Sequence, residues 1–361
     1  MWLKLTRRPA PSRAMRILSP IIALVLTAIV GTALFLFLGR SPIEAFEALF
    51  IAPINSLSGL GELAIKATPL MLIAVGLAIG FKANIWNIGA EGQLVLGAVA
   101  GGSLALYFPD GAKWWLLPAM MLVGAAAGAL WAAIPAYLRA RFNASEILTS
   151  LMLTYVAQLW LSYLVYGPLR DPEGFNLPQS RLLGDNSLLP IILSGTRMNA
   201  GLFIALAAVA GAWFFMSRSL LGHQMRVAGL SEGAASYAGI NANRMVWAGM
   251  LVGGAAAGVA GVGEVAGPVG QLLPVVSPGY GFAAIIVAYL GRLHPFGIVL
   301  ASLLMALLYL GGETAQLNLD LPAAISNLFQ GTLLFILLGT DVLINYRVSF
   351  GGAARHARQP A

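Results

Sequence analysis

The sequence predicts an all-α protein, a polytopic bundle of about ten membrane-spanning helices with one broken helix near 264–282. Three observations carry that prediction. Of 361 residues, 59% are apolar and 10% are charged, against roughly 45–50% and about 25% in soluble domains, so there is too little charge to coat a water-facing surface. Uncharged runs long enough to cross about 30 Å of hydrocarbon, roughly 17–25 residues as a helix, recur along the chain. The Lys and Arg residues between those runs fall mainly on one side when the runs are threaded back and forth. Cysteine is absent, which removes disulfides and thiolate chemistry from consideration.

Taken in order, the first run, 17–39, is uncharged throughout its 23 residues and follows Lys4, Arg7, Arg8, Arg13 and Arg16. A cleaved signal peptide has an apolar stretch of only about 7–15 residues, so this run reads as an uncleaved anchor. A second span, from about Ser58 to Phe81, contains Glu62 and Lys66, which lie four apart on one helical face, where they are expected to pair. Runs at 92–109, 114–138, 147–169, 198–217 and 245–263 supply five more spans. The run 265–291 is also uncharged, but Pro268, Pro274 and Pro278 interrupt it, so only 280–291 reads as a regular helix. The runs 295–312 and 321–340 complete a count of ten. An even count puts both termini on the same side.

With the N-terminus in the cytoplasm, the inside set also includes Lys82, Arg139, Arg141, Arg218, Arg226, Arg244, Arg292, Arg347, Arg355 and Arg358. Only Arg40, Lys113, Arg170, Arg181 and Arg197 fall outside, and Lys66 is intramembrane. This asymmetry satisfies the positive-inside rule and explains the net charge of +7 as a topology signal rather than a nucleic-acid footprint. The resulting organisation is a basic cytoplasmic tail 1–16, a single transmembrane domain 17–345 and a second cytoplasmic tail 346–361. The domain carries a cytoplasmic loop at 218–244 and an external loop at 170–197. Four small-xxx-small pairs, Gly76/Gly80, Gly97/Gly101, Gly124/Gly128 and Gly254/Gly258, lie inside spans and are expected to pack helices closely within the bundle.

Several chemistries are excluded. Each of the two long loops is under 30 residues, short of the roughly 50 an independent domain needs. No GxxxxGK[ST] loop occurs, so the chain does not bind and hydrolyse ATP by that device. Gly229-Leu230-Ser231-Glu232-Gly233 fits GxSxG, but lies between membrane helices rather than on the strand-to-helix elbow that motif requires. Gly261-Val262-Gly263-Glu264-Val265-Ala266 resembles a dinucleotide fingerprint but ends a helix instead of following a strand. His223, His294 and His356 show no metal-ligand spacing.

Information concentrates in three segments. In 81–93, FKANIWNIGAEGQ, two Asn, a Glu and a Gln interrupt two apolar spans. Such groups persist at membrane depth where they pair or line a cavity; they fit either helix caps at an interhelical turn or a pathway. In 218–244, Ser231 reads as an N-cap, followed by Glu232-Gly233-Ala234-Ala235, with Gly239 as the stop. This short, small-residued helix on the cytoplasmic side needs a partner surface. In 264–282 the broken backbone is tolerated only if buried in protein or lining water.

NIWNIGAEGQ, MRVAGLSEGAASYAGI and GYGFAAIIVAYLGRLHPFG together resemble the permease subunits of bacterial ABC importers of the branched-chain amino acid, ribose and nucleoside group, and most of all the nucleoside permeases, with purine nucleosides favoured. The resemblance runs from about Leu60 to Leu343. It implies that 226–239 docks on a cytoplasmic ATPase, with Arg226, Gly229, Ser231, Glu232, Ala235 and Gly239 in the coupling segment. It also implies a second permease subunit, the same or related, an external substrate-binding protein, and ATP held by the partner ATPase, with no cofactor in this chain. The chain would sit in the bacterial inner membrane and carry no catalysis.

A nucleoside's flat base and polar ribose call for aromatic faces and amide or carboxylate partners. Trp86, Asn87, Glu91, Gln93, Gln271, Tyr280 and Phe282 supply these, and at least three are expected to share a cavity. Interfacial anchoring and helix capping are the competing roles for the same residues. The competing function is a proton-coupled secondary transporter using Glu62, Lys66, Glu91 or Glu264, and the competing substrates are a simple sugar or a branched-chain amino acid.

Overall fold

A computed structural model describes residues 3–8, 12–108, 114–319, 322 and 324–350. Lys113, His356, Arg355, Arg358 and residues 351–361 of the expected tail lie outside the described residues. Thirteen α-helices occur among the described residues: α1 Arg13–Phe37, α2 Pro42–Phe46, α3 Leu57–Lys82, α4 Ala90–Tyr107, α5 Leu116–Phe142, α6 Glu146–Tyr166, α7 Gly201–Arg218, α8 Leu220–Leu230, α9 Glu232–Tyr237, α10 Ala242–Glu264, α11 Tyr280–Leu290, α12 Pro295–Leu319 and α13 Ala324–Asn345. The chain divides into two compact units, 1–48 with 315–361, and 49–314.

In the first unit, α1 packs on α13. Phe35 sits edge-on to Phe46 and stacks on Phe329, with both ring centroids at 5.6 Å, and the Ser19 and Thr340 hydroxyls lie 3.1 Å apart. The described parts of the two expected tails include two strands. β1 Leu3–Arg7 pairs antiparallel with β2 Tyr346–Phe350, Leu3 opposite Phe350 and Arg7 opposite Tyr346. This pairing brings the described ends of the chain side by side.

In the second unit, α10 is the hub, packed against α3, α4 and α5. Glycine makes this possible. A side chain at Gly258 would collide with the Gly124 carbonyl of α5, one at Gly97 of α4 with the Gly258 backbone, and one at Gly76 of α3 with Ala256. Between helices in lipid there is little hydrophobic drive, and close backbone approach supplies the dispersion energy in its place. All four small-xxx-small pairs are therefore spent inside this one chain.

Eight helices are long and apolar enough to cross a membrane among the described residues, and this does not confirm the expected ten. The two that differ are α4 and α11. α4 has 18 residues and spends its first turn on Glu91 and Gln93. α11 has only 11 residues; at about 1.5 Å per residue it covers about half of a 30 Å hydrocarbon layer.

The expected break after α10 is present. α10 passes into a π-turn at Val265–Val269 containing Pro268, and the chain then leaves helical geometry at Gly270, φ +72°. The loop 170–197 supplies partners for the backbone groups this break frees. The N–H groups of Leu189, Leu183 and Ser180 donate to the carbonyls of Ala266, Gly270 and Leu272 at 2.7, 2.9 and 3.0 Å, and the Leu272 N–H donates to Ser180 Oγ at 2.9 Å. Irregular backbone inside a bundle needs this kind of replacement partner.

The expected Glu62–Lys66 pair is not formed. Arg197 donates from Nε and Nη2 to the two Glu62 carboxylate oxygens, each at 2.7 Å, and Lys66 pairs with Glu313 of α12 at 2.8 Å. The i,i+4 relation worth a few tenths of a kcal/mol gives way to bidentate and interhelical partners with better geometry. The Glu62 carboxylate holds the Arg197 guanidinium above its ordinary range.

Candidate functional site

The polar segment between α3 and α4 is a set of locally satisfied groups. The Asn87 amide donates to Gln93 Oε1 at 2.8 Å, and Gln93 Nε2 returns a bond to Asn87 Oδ1 at 3.0 Å. Asn87 Oδ1 also accepts the Gly89 N–H at 3.1 Å. This reciprocal amide pair, buried on both sides, fixes the turn that launches α4. Trp86 lies 5.2 Å from Phe81 and stacks on Tyr289 at 5.6 Å, while its indole N–H donates to Asn84 Oδ1 at 3.2 Å.

Glu91 holds a different kind of position. It is 1% exposed, it stands in the first turn of α4, and its Oε2 accepts the Gly281 N–H of α11 at 2.6 Å. Two helix N-termini, each with unpaired N–H groups and a partial positive charge, thus converge on one acidic side chain. Gly279 permits this approach by taking φ +99° just before α11. A side chain at Gly281 would strike the Glu91 backbone, so only glycine brings the two helix starts this close.

Beside Glu91 opens a cleft of about 360 Å³, walled by α4, one face of α6 and the non-helical stretch Pro274–Ser277. Its polar lining is Glu91, Tyr155, Gln158, Ser162 and Ser277. Of the seven residues expected to share a cavity, Glu91 is the one on this cleft. Asn87 and Gln93 satisfy each other, and Trp86 is held in a ring stack. Tyr280 is 4% exposed and meets Tyr309 edge-on at 5.4 Å, Gln271 is half-buried on the broken segment, and Phe282 lies at the surface of this chain. The seven therefore divide among bracing, stacking and lining positions.

The sequence reading missed Gln158 and Ser162. They are a polar pair at i and i+4 in the second half of α6, a signal that was present in AQLWLSYL.

The segment between α7 and α10 is a helix–turn–helix. Ser219 Oγ accepts the Gly222 N–H at 2.9 Å to start α8, a helix the sequence reading did not separate from its loop. Ser231 Oγ accepts the Ala234 N–H at 3.2 Å to start α9, and Gly239 closes it at φ +73°, both as expected. α8 is seated by backbone contact. A side chain at Gly229 would collide with the Lys82 carbonyl at the end of α3, and the Arg226 guanidinium donates to the Met216 carbonyl. The Glu232 side chain lies outside the described residues. Ala235 turns inward, at 4% exposure, whereas Leu230 and Tyr237 are 85% and 97% exposed. The large side chains facing outward are therefore Leu230 and Tyr237, and Ala235 does not face outward.

Residues 59–338 match the protein family described as branched-chain amino acid transport system, permease component. The chain is similar to the glucose ABC transporter permease protein TsgB13 of Haloferax volcanii, 36% identical over 95% of this chain and 92% of that protein. It is similar also to the guanosine ABC transporter permease protein NupP of Bacillus subtilis, 31% identical over 87% of this chain and 90% of that protein. A third relative is the nucleoside ABC transporter permease protein NupB of Lactococcus lactis, 29% identical over 90% of this chain and 92% of that protein. No solved structure matches the chain. The glycine-packed bundle, the broken segment after α10 and the matched residues agree: the chain belongs to the family of branched-chain amino acid transport system permease components and is an ABC transporter permease.

Proposed function

We propose that the chain forms half of the translocation path of an ATP-driven importer in a bacterial inner membrane and carries nucleosides, purine nucleosides first, into the cytoplasm. Cargo arrives from an external substrate-binding protein, ATP is bound and hydrolysed by cytoplasmic partner subunits, and a second permease subunit, the same or related, completes the path. Both termini and 218–244 face the cytoplasm and 170–197 faces outward, which agrees with the distribution of Lys and Arg. The segment from Arg226 through Gly229, Ser231, Glu232, Ala235 and Gly239 docks on the ATPase. Support comes from the exposed Leu230 at the end of α8 and the exposed Tyr237 on the 6-residue α9. Along the path, Glu91 faces cargo, while Trp86, Asn87, Gln93, Gln271, Tyr280 and Phe282 shape the helix starts around it.

The observation that carries the substrate class is the near full-length similarity to relatives named for guanosine and nucleosides. The similarity to a glucose permease favours a simple sugar as the second reading. Both cargoes are uncharged rings bearing hydroxyls. Uptake of labelled guanosine by vesicles holding the complete transporter decides between them. Saturable guanosine uptake displaced by unlabelled adenosine and not by glucose is the expected result, and displacement by glucose alone would replace nucleoside with sugar.

A further inference from the structure

We infer that the cleft between α6 and Pro274–Ser277 is a cargo-contact site that selects uncharged, hydroxyl-bearing rings and rejects anions, with Gln158 and Ser162 as its specificity-determining side chains. The inference rests on the importer reading above and assigns the substrate class to particular residues of it. Four features of the cleft carry it. Its volume, about 360 Å³, lies in the roughly 300–1,000 Å³ range of small-molecule sites. Its lining mixes apolar walls with a few convergent polar groups, the composition that orients a small ligand.

Its charge is one-sided: Glu91 is acidic and no Lys, Arg or His lines the cleft among the described residues. A phosphate or carboxylate would enter such a site without a cation to meet it and beside a group of its own sign, whereas a sugar hydroxyl finds acceptors. Nucleosides and hexoses satisfy that condition; nucleotides, sugar phosphates and amino acids, each with an anionic group, do not. Finally, Gln158 and Ser162 stand one turn apart on α6, with Tyr155 a turn earlier, so the three line the same opening as Glu91. An amide that both donates and accepts, a hydroxyl and a carboxyl group together match a vicinal diol. Ser277, which already spends its oxygen on the Gly279 and Tyr280 N–H groups at 3.2 and 3.0 Å, shapes the rim.

The test uses the complete transporter in vesicles, comparing the native chain with Gln158→Leu and Ser162→Val. Glu91→Gln is a third variant, interpreted only if assembly is retained, because Glu91 also anchors α11. Native vesicles first establish which of guanosine and glucose is carried; if neither is carried in an ATP-dependent way, the importer reading fails and the cleft assignment falls with it. If one is carried, Gln158→Leu should raise its half-saturating concentration in uptake about tenfold, the ordinary effect of one or two lost ligand hydrogen bonds. Co-purification of the ATPase and basal ATP hydrolysis should be unchanged. The native transporter should also ignore guanosine monophosphate and glucose phosphate as competitors. Unchanged uptake in both α6 variants, or competition by the phosphorylated forms as strong as by the neutral ones, overturns the assignment while leaving the importer reading in place.

Discussion

Helices α10 and α6 are both apolar enough to span a membrane, yet they do opposite things with that property. α10 meets α4 and α5 through Gly254, Gly258 and Gly261, where glycine leaves no room for any other side chain beside their carbonyls. α6 leaves Leu148, Met152, Trp160 and Tyr163 exposed away from the cleft. At the crossings of α10, residue size rather than hydrophobicity therefore decides what is buried. In lipid a Leu gains little from turning inward, while a Gly that lets two backbones touch gains dispersion along the whole crossing. The crossings of α10 with α4 and α5 are built from the smallest residues.

Substitutions on the two kinds of surface should differ accordingly. The largest effect on stability is expected at the hub. Gly258→Leu should cost more than about 3 kcal/mol, because the displaced neighbour is backbone and not a side chain that can swing away, and folded protein recovered in detergent should fall to background. Normal yield and melting temperature for this variant would break the comparison.

Ala235→Asp comes next and sharpens the account of the coupling segment. An aspartate on an outward face would impair docking alone. An aspartate buried within the chain should instead destabilise it by several kcal/mol, lowering the melting temperature before any ATPase is added.

Asn87→Ala should cost about 1–3 kcal/mol by leaving the Gln93 amide buried without its partner. A double-mutant cycle with Gln93→Ala should show that the second change adds little, since the pair acts as one unit. Full additivity would mean that the two amides do not depend on each other.

The smallest stability effects belong to the exposed positions. Tyr237→Asp and Leu148→Ala should each stay within about 0.5 kcal/mol of the native chain. They part company in function. Tyr237→Asp should lower ATP-driven uptake about tenfold or more through lost docking, and Leu148→Ala should leave it intact.

Much of this arrangement was legible in the sequence because it depends on local composition. The uncharged runs, the proline-broken stretch after Glu264, the Ser231 cap and the Gly239 stop are each set by residues within a few positions of one another, and each is found where expected. What was not legible depends on partners far along the chain. Glu62 and Lys66 are neighbours on one turn, but each finds a better counter-charge more than a hundred residues away, in Arg197 and Glu313. β1 has no hairpin partner nearby and pairs with a strand at the other end of the described chain.

The candidate site was half legible for the same reason. Glu91 stood out as an acidic residue at a span boundary, but the grouping of Gln158, Ser162 and Pro274–Ser277 around it follows from how α4, α6 and the broken segment converge. Ala235 was placed on α9, but its burial was not legible, because a helix of 6 residues is too short for periodicity to reveal which side is buried.

The central claim is that this chain moves its cargo by coupling to a separate ATPase and not by titrating its own intramembrane acids. Vesicles carrying the complete transporter, with its binding protein outside, test that claim most directly when loaded either with ATP plus an uncoupler or with ADP plus an imposed proton gradient. The account predicts uptake in the first and none in the second. Uptake driven by the gradient with ADP, and absent with ATP, would contradict it.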